Sequence, residues 1–170
     1  FINLMSKYEI DHRIPNALID GILSDLSKVN IKDYNQLFCY SYKVAGTVGL
    51  MMCDIMEVKE SSLKFNAIYL GIAMQLTNIS RDVKEDLLRD RIYIPKEIRV
   101  HVKNDFYDIP LSDKLQKEFS KDLKKLIDTS NIIYDLAWEG IIKLPLKYRF
   151  PIAIASYLYQ SIGTKIKNNK

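Results

Sequence analysis

Few of this chain's residues are of the kind that build covalent or metal-clamped scaffolds. It has two cysteines, two histidines and one tryptophan in 170 residues. Cys39 and Cys53 stand in apolar surroundings without metal-ligand spacing, so the expectation is two small core thiols in a reducing compartment rather than a disulfide. His12 and His101 have no Cys, His or carboxylate at ligand spacing and read as surface residues. Six glycines and five prolines are too few for a collagen-like or low-complexity chain. No apolar run approaches the roughly 18 residues of a membrane span, and no signal pattern opens the sequence. A large charge of one sign is also missing. The net charge of +4 permits anionic ligands or an anionic membrane surface, but is too weak and dispersed to argue for nucleic acid.

What is present points to a globular, soluble chain. Hydrophobic residues make up 48% and charged residues 27%, and residues 1–170 suffice for one domain with a substantial core. The chain starts at Phe1 and ends in a basic helical pattern (Lys165, Lys167, Lys170) without a stop signal. It therefore reads as an internal piece of a longer protein, truncated at both ends. That short tail reads as a solvated helix end, with a membrane-surface contact as the alternative.

No segment shows the period-2 alternation of a strand, so the fold class is all-α. Residues up to Asp11 read as the end of a helix. Pro15 suits the first turn of the next one, whose stripe is Leu18, Ile19, Ile22 and Leu26. Asp33 and Gln36 read as a capping box for a helix running through Tyr40, Val44, Val48, Met51 and Ile55. Gly46 and Gly49 inside it each cost about 1 kcal/mol relative to Ala. Close helix packing or a kink explains them, and so does a ligand passing over that face. Pro95 can open a short helix to about Val102, followed by an irregular linker over residues 103–111. Ser112 then caps a long amphipathic helix to about Ile141, with Leu115, Phe119, Leu123, Leu126, Ile133 and Leu136 inward. A last helix runs from about Lys147 to about Lys167.

Residues 67–91 carry the least ordinary pattern. At about 100° per residue, Asn78, Asp82, Glu85 and Arg89 share one face with Asp86 beside them, and the same face carries Gln75, Gly71 and Ala67 towards its start. It grades from apolar through amide to carboxylate. Between Arg81 and Arg91 there are four acids and four bases, and i,i+4 pairs such as Arg81/Glu85 and Glu85/Arg89 would make an ordinary salt-bridged helix end. Three features argue otherwise. Asp82 and Asp86 repel at i,i+4, the acids sit in the last third where the macrodipole disfavours them, and the amides extend the polar face inward. Carboxylates and an Asn carbonyl at one-turn spacing are hard oxygen ligands suited to Mg²⁺ with substrate phosphate. With Arg81, Arg89, Arg91 and Tyr93 nearby, the face suits a diphosphate head on a long hydrocarbon tail.

Two motifs, YSYKVAGTVGLM at residues 40–51 and GIAMQLTNISRDVKED at residues 71–86, followed by RIYIP at residues 91–95, strongly resemble the squalene/phytoene synthase family. The form of both motifs resembles the phytoene and dehydrosqualene synthase branch, and the likeness spans nearly the whole chain. It implies an all-α isoprenoid-synthase-type bundle around a central cavity, here a partial domain. It implies Mg²⁺, or alternatively Mn²⁺, held by Asn78, Asp82 and Asp86, with Arg81 and Glu85 interleaved. Tyr40, Val44, Val48, Gly49, Ala67, Leu70, Gly71 and Gln75 fall where relatives line the prenyl channel or approach the diphosphate. Tyr93 and Tyr159 match tyrosines near the diphosphates.

The implied reaction is head-to-head condensation of two geranylgeranyl diphosphates to phytoene without NADPH, by a cytoplasmic enzyme with peripheral contact at the inner membrane surface as an option. The alternatives are a dehydrosqualene or squalene synthase using farnesyl diphosphate, and a non-catalytic scaffold relative. Asp90 stands in place of a common Gly, and Gln160 in place of a frequent Arg. The family's first aspartate-rich motif is expected before Phe1, so the isolated piece is expected to be inactive.

Overall fold

The computed structural model of the protein describes residues 1–99 and 113–168. Helix α1 (Ile2–Lys7) leads into α2 (Arg13–Ser24), which holds Pro15 in its first turn. The stripe predicted to face inward on α2 does not. Ile19, Ile22 and Leu26 are exposed, while Pro15 and Gly21 are buried. The small side of the helix lies on the body, with Gly21 against Lys43 and Val44, so the larger aliphatics of the opposite side are left outside.

Helix α3 (Tyr34–Ser41) starts at the predicted cap, where the Gln36 N–H donates to Asp33 Oδ1 at 2.8 Å. The Gln36 side chain reaches back one residue further than a capping box requires and accepts from the Lys32 N–H at 2.9 Å. The helix expected to run straight to Ile55 is interrupted by a π-helical turn, Tyr42–Gly46, and resumes as α4 (Thr47–Ile55). Cys53 is buried, but Cys39 is exposed, because its side of α3 is not covered.

Helix α5 (Ser61–Leu88) is the centre of the molecule. It is contacted by α3, the π turn and α4, and by the two helices that follow it, α6 (Asp113–Ile141) and α7 (Leu146–Asn168). Two glycines set the spacing of α5 from the π turn and α4. A Cβ on Gly71 would lie 2.4 Å from the Ala45 carbonyl oxygen, and one on Gly49 would lie 2.4 Å from the Ala67 carbonyl oxygen. Backbone on both sides cannot yield, so only glycine fits at either place. Leu37, Ile72, Leu76, Ile79, Ile94 and Leu126 close the core around α5.

The expectation of no strand needs one correction. Val29–Asn30 (β1) and Arg91–Ile92 (β2) form a two-residue parallel ladder, Val29 opposite Arg91 and Asn30 opposite Ile92. Two residues are too few to show an alternation in sequence. The pairing continues irregularly, with the Lys96 N–H donating to the Ile31 carbonyl at 3.0 Å. It ties the segment after α2 to the segment after α5 and so brings distant residues together. Pro95 opens one turn, its carbonyl accepting from Ile98 and Arg99 at 3.1 and 3.2 Å, rather than a regular helix.

On α6 the inward positions include Leu126 and Tyr134, with Asp122, Ile127, Ser130 and Ala137; Leu136 is exposed, against expectation. The Ser112 cap, the helix end near Val102, the 103–111 linker, His101 and the side chains of Leu115 and Phe119 lie outside the described residues.

Candidate functional site

The backbone contacts at Gly49 and Gly71 pair residue 49 with 67 and residue 45 with 71, so α4 and the π turn run antiparallel to α5. Helix α6 does too, because Asn66 Nδ2 donates to the Leu136 carbonyl at 2.6 Å and Thr77 Oγ1 meets Tyr134 Oη at 3.1 Å. Between these helices and α7 lies a cavity of about 360 Å³. Its residues sort by position along α5. Met52, Cys53, Met56 and Leu144 gather around Leu63, while Gln75, Asn78 and Tyr159 stand at the opposite end. From Leu63 to Asn78 the helix advances about 22 Å at 1.5 Å per residue.

Of the sequence-predicted residues, Val44, Val48, Gly49, Ala67, Leu70, Gly71, Gln75, Asn78 and Tyr159 line this cavity. Tyr40, Arg81, Asp82, Asp86 and Tyr93 do not. Asp86 and Tyr93 instead line a small crevice at the end of α5, together with Arg91. The predicted Arg81/Glu85 pair is absent. Arg81 forms a two-pronged pair with its neighbour, Nε to Asp82 Oδ1 and Nη2 to Asp82 Oδ2, both at 2.7 Å. The pairing with Asp82 raises the Arg81 pKa, and Tyr159, which lines the cavity, adds to that effect in a small way, so the cavity and the charged end adjoin. The predicted Glu85–Arg89 pair forms, at 2.7 Å.

Asn78, Asp82 and Asp86 follow one another at one-turn spacing, about 6 Å per step along the helix axis. Neighbours can share an ion, but all three cannot touch one. Among the described residues no group of three His, Cys, Asp or Glu side chains converges as a metal cage. Two observations nevertheless fit a hard cation taking only some of its ligands from this helix. Asn78 Oδ1 is buried with no hydrogen-bond partner, although its Nδ2 donates to Gln75 Oε1 at 3.3 Å, so a carbonyl oxygen is left unspent where orphaned acceptors are costly. Burial pushes the Asp86 carboxyl up to about 6, with the charge of Asp82 adding to the effect and Arg91 opposing it. A divalent cation would relieve both strains.

Sequence reasoning missed Asp25. It sits at the C-terminal end of α2, accepts hydrogen bonds from Tyr93 Oη at 2.7 Å and Tyr40 Oη at 3.0 Å, and its charge reaches Asp86. Arg91 Nη2 donates to its backbone carbonyl at 2.7 Å. An acid off the apolar stripe gave no periodic signal. The available hint was a lone carboxylate at a helix C-terminus, where the macrodipole disfavours it.

Over residues 1–170 the chain matches the squalene/phytoene synthase family. It is 34% identical to phytoene synthase 1 of Solanum lycopersicum, over 97% of this chain and 41% of that one. It is 30% identical to the phytoene synthase of Cereibacter sphaeroides, over 99% of this chain and 48% of that one. The chain thus spans less than half the length of these relatives. Among solved structures it superimposes on a dehydrosqualene synthase crystallised with ligand with a TM-score of 0.71 at 29% identity, covering 85% of this chain and 50% of that one. A squalene synthase from Alicyclobacillus acidocaldarius aligns with a TM-score of 0.82 at 16% identity, over 96% of this chain and 62% of that one, a likeness of fold. The architecture is the all-α isoprenoid-synthase fold.

Proposed function

The chain belongs to the squalene/phytoene synthase family, and on that premise we propose that it serves the head-to-head condensation of two geranylgeranyl diphosphates to phytoene. The observation that carries this reading is the graded face of α5, with hydrocarbon walls around Leu63, amides at Gln75 and Asn78, and carboxylates one and two turns further on. An apolar tail buried along such a wall is stabilised by about 25 cal/mol per Å². Seating the tail delivers the diphosphate to the polar end.

Asn78, Asp82 and Asp86 would hold Mg²⁺, with Mn²⁺ as an alternative. Mg²⁺ bound there supplies Lewis-acid neutralisation of the leaving diphosphate. Arg81 and Arg91 place fixed cations at the same end and favour the charge that develops on the leaving oxygens. The allylic carbon–oxygen bond breaks with its electron pair on diphosphate. The resulting cation is attacked by the double bond of the second substrate, and loss of a proton gives a cyclopropylcarbinyl diphosphate. A second ionisation, rearrangement and proton loss give phytoene. No hydride enters this sequence, so NADPH is not required. The apolar walls of α4 and α5 keep water from quenching the cations.

The likeness to a dehydrosqualene synthase supports a second reading. An extended chain advances about 3.5 Å per three bonds, so a farnesyl tail needs about 14 Å and a geranylgeranyl tail about 19 Å, and the lining accommodates either. Farnesyl diphosphate going to dehydrosqualene is the alternative. Peripheral contact with a membrane is supported by the exposed aromatics Trp138, Phe150 and Tyr157 on α6 and α7. No helix among the described residues is long and apolar enough to cross a bilayer.

The test supplies the protein expressed from its complete reading frame with either diphosphate and Mg²⁺, with and without NADPH. The expected product is a C40 hydrocarbon, independent of NADPH, and Asp82→Ala or Asp86→Ala should lower its formation by about 100-fold or more. Variants that form as much as wild type would remove the metal assignment. A wild type that forms no hydrocarbon would favour the scaffold reading.

A further inference from the structure

Asp25, Tyr40 and Tyr93 come from three separate elements: the end of α2, the last turn of α3 and the segment after β2. Their meeting has a specific geometry. Each oxygen of the Asp25 carboxylate takes a different phenol, Oδ1 from Tyr93 at 2.7 Å and Oδ2 from Tyr40 at 3.0 Å. The two rings stack with centroids 4.8 Å apart and planes 27° apart. Tyr93 is buried, and Arg91 pins the Asp25 backbone.

A phenol has one proton to donate and lone pairs to accept with. Both hydroxyls have spent that proton on Asp25. What each oxygen still offers is acceptor capacity alone, which suits a water held by a cation or a cationic group and does not suit a bare diphosphate oxygen. Burial also holds both phenols well above the ordinary tyrosine range, so neither serves as a proton source by ionising.

We propose that Asp25 is a positioning residue, which by taking both phenol protons fixes Tyr40 and Tyr93 as an acceptor pair at the diphosphate end of the site. The inference rests on the function proposed above. It assigns the two tyrosines the task of ordering the hydrated, cation-bearing side of the head group rather than donating to its oxygens.

Asp25→Asn is nearly isosteric and leaves one carbonyl oxygen where two carboxylate oxygens accepted. In the complete protein it should lower kcat by about 10–100-fold while KM stays within about threefold and the unfolding midpoint moves little. Adding Tyr93→Phe to Asp25→Asn should cost no more than about a further twofold, because the two act as one unit. An unchanged kcat, or losses that multiply in full, would overturn the assignment. Difference resonance Raman spectra (wild type minus Tyr93→Phe, and wild type minus Tyr40→Phe) give a readout independent of turnover. The tyrosine Fermi doublet should report a donating phenol at each position, and that signature should weaken in Asp25→Asn. A donor signature that survives Asp25→Asn overturns the present inference, whereas a wild type that turns over neither diphosphate overturns the function above. Where Asp25→Asn lacks a cooperative melt, Tyr40→Phe and Tyr93→Phe replace it. Single losses that fail to multiply in the double variant support the inference, and full multiplication sinks it.

Discussion

At Asp86 electrostatics and packing disagree. Its carboxyl is raised from 3.8 to about 6 by burial first and Asp82 second. In the metal-free chain the folded state therefore holds this proton to higher pH than the unfolded state does. Stability is full below the unfolded value and is lost as pH rises from about 4 through about 6. The shift corresponds to a ceiling of about 3 kcal/mol, which solvent screening at a half-exposed group reduces to about 1. In the presence of chelator, Asp86→Asn should thus be the more stable protein at pH 7 by about 1 kcal/mol and should lose that advantage near pH 4. Denaturant titrations at the two pH values measure the difference. Asp90 offers a second test at this scale. It ends α5 with φ at 58°, a conformation that costs a side-chain-bearing residue energy, and its contact with Lys28 is a loose 3.4 Å between exposed groups. Asp90→Gly should raise stability by about 0.5–1 kcal/mol, read as a higher denaturant midpoint with unchanged slope. The departure from glycine was visible in the sequence, whereas the angle that gives it meaning was not.

At the scale of elements, the contact of α5 with α4 and the π turn is the joint on which the cavity depends. Gly49→Ala or Gly71→Ala would drive a methyl to 2.4 Å from a carbonyl oxygen of the facing backbone. Neither helix can give locally, so each change should cost about 1–3 kcal/mol and spread the cavity walls, lowering thermal stability and turnover together. A substitution tolerated without either loss would mean that the helices are not held this closely. The helices themselves were legible in the sequence, because α5 carries a graded face over many turns and α3 carries its Asp33 cap. What periodicity missed was the side on which a helix finds its partner. Leu18, Ile19, Ile22 and Leu26 form a good stripe, yet α2 packs by Pro15 and Gly21. Close approach rewarded small residues there, and apolar bulk could not reveal it. The β1–β2 ladder was hidden for another reason. Two-residue strands are defined by their partner, sixty-two residues away in sequence, and leave no local trace.

For the molecule as a whole, the cavity has an axis, and that axis carries a prediction. Leu63, Met56 and Leu144 lie at the end remote from Asn78, so filling that end should shorten the tail accepted before it affects the chemistry. Leu63→Trp or Met56→Trp should reduce use of geranylgeranyl diphosphate at least about tenfold relative to farnesyl diphosphate, in line with the 1–3 kcal/mol attached to small changes of volume in an apolar pocket. Competition between the two substrates, read from the ratio of C40 to C30 products, checks it. Of the nine cavity-lining residues anticipated, Ala67, Gly71, Gln75 and Asn78 lie on the one long helix whose spacing specifies a face, while the others, Val44 in the π turn among them, were implied by the family resemblance. Asp25 could not be anticipated that way, because its importance arises from three segments meeting.

The π-helical turn Tyr42–Gly46 joins these scales. One extra residue in the turn swivels everything after it by about 100° relative to an unbroken α-helix. Tyr40, before the turn, faces Asp25, while Val48 and Gly49, after it, face the cavity. Deleting one residue within 42–46 would restore a regular ladder of hydrogen bonds and leave the chain locally content, yet it would point the two halves of the helix at the wrong neighbours. The turn works as a phase setting between head-group chemistry and tail recognition, and such a setting is lost by regularising the backbone rather than by damaging it.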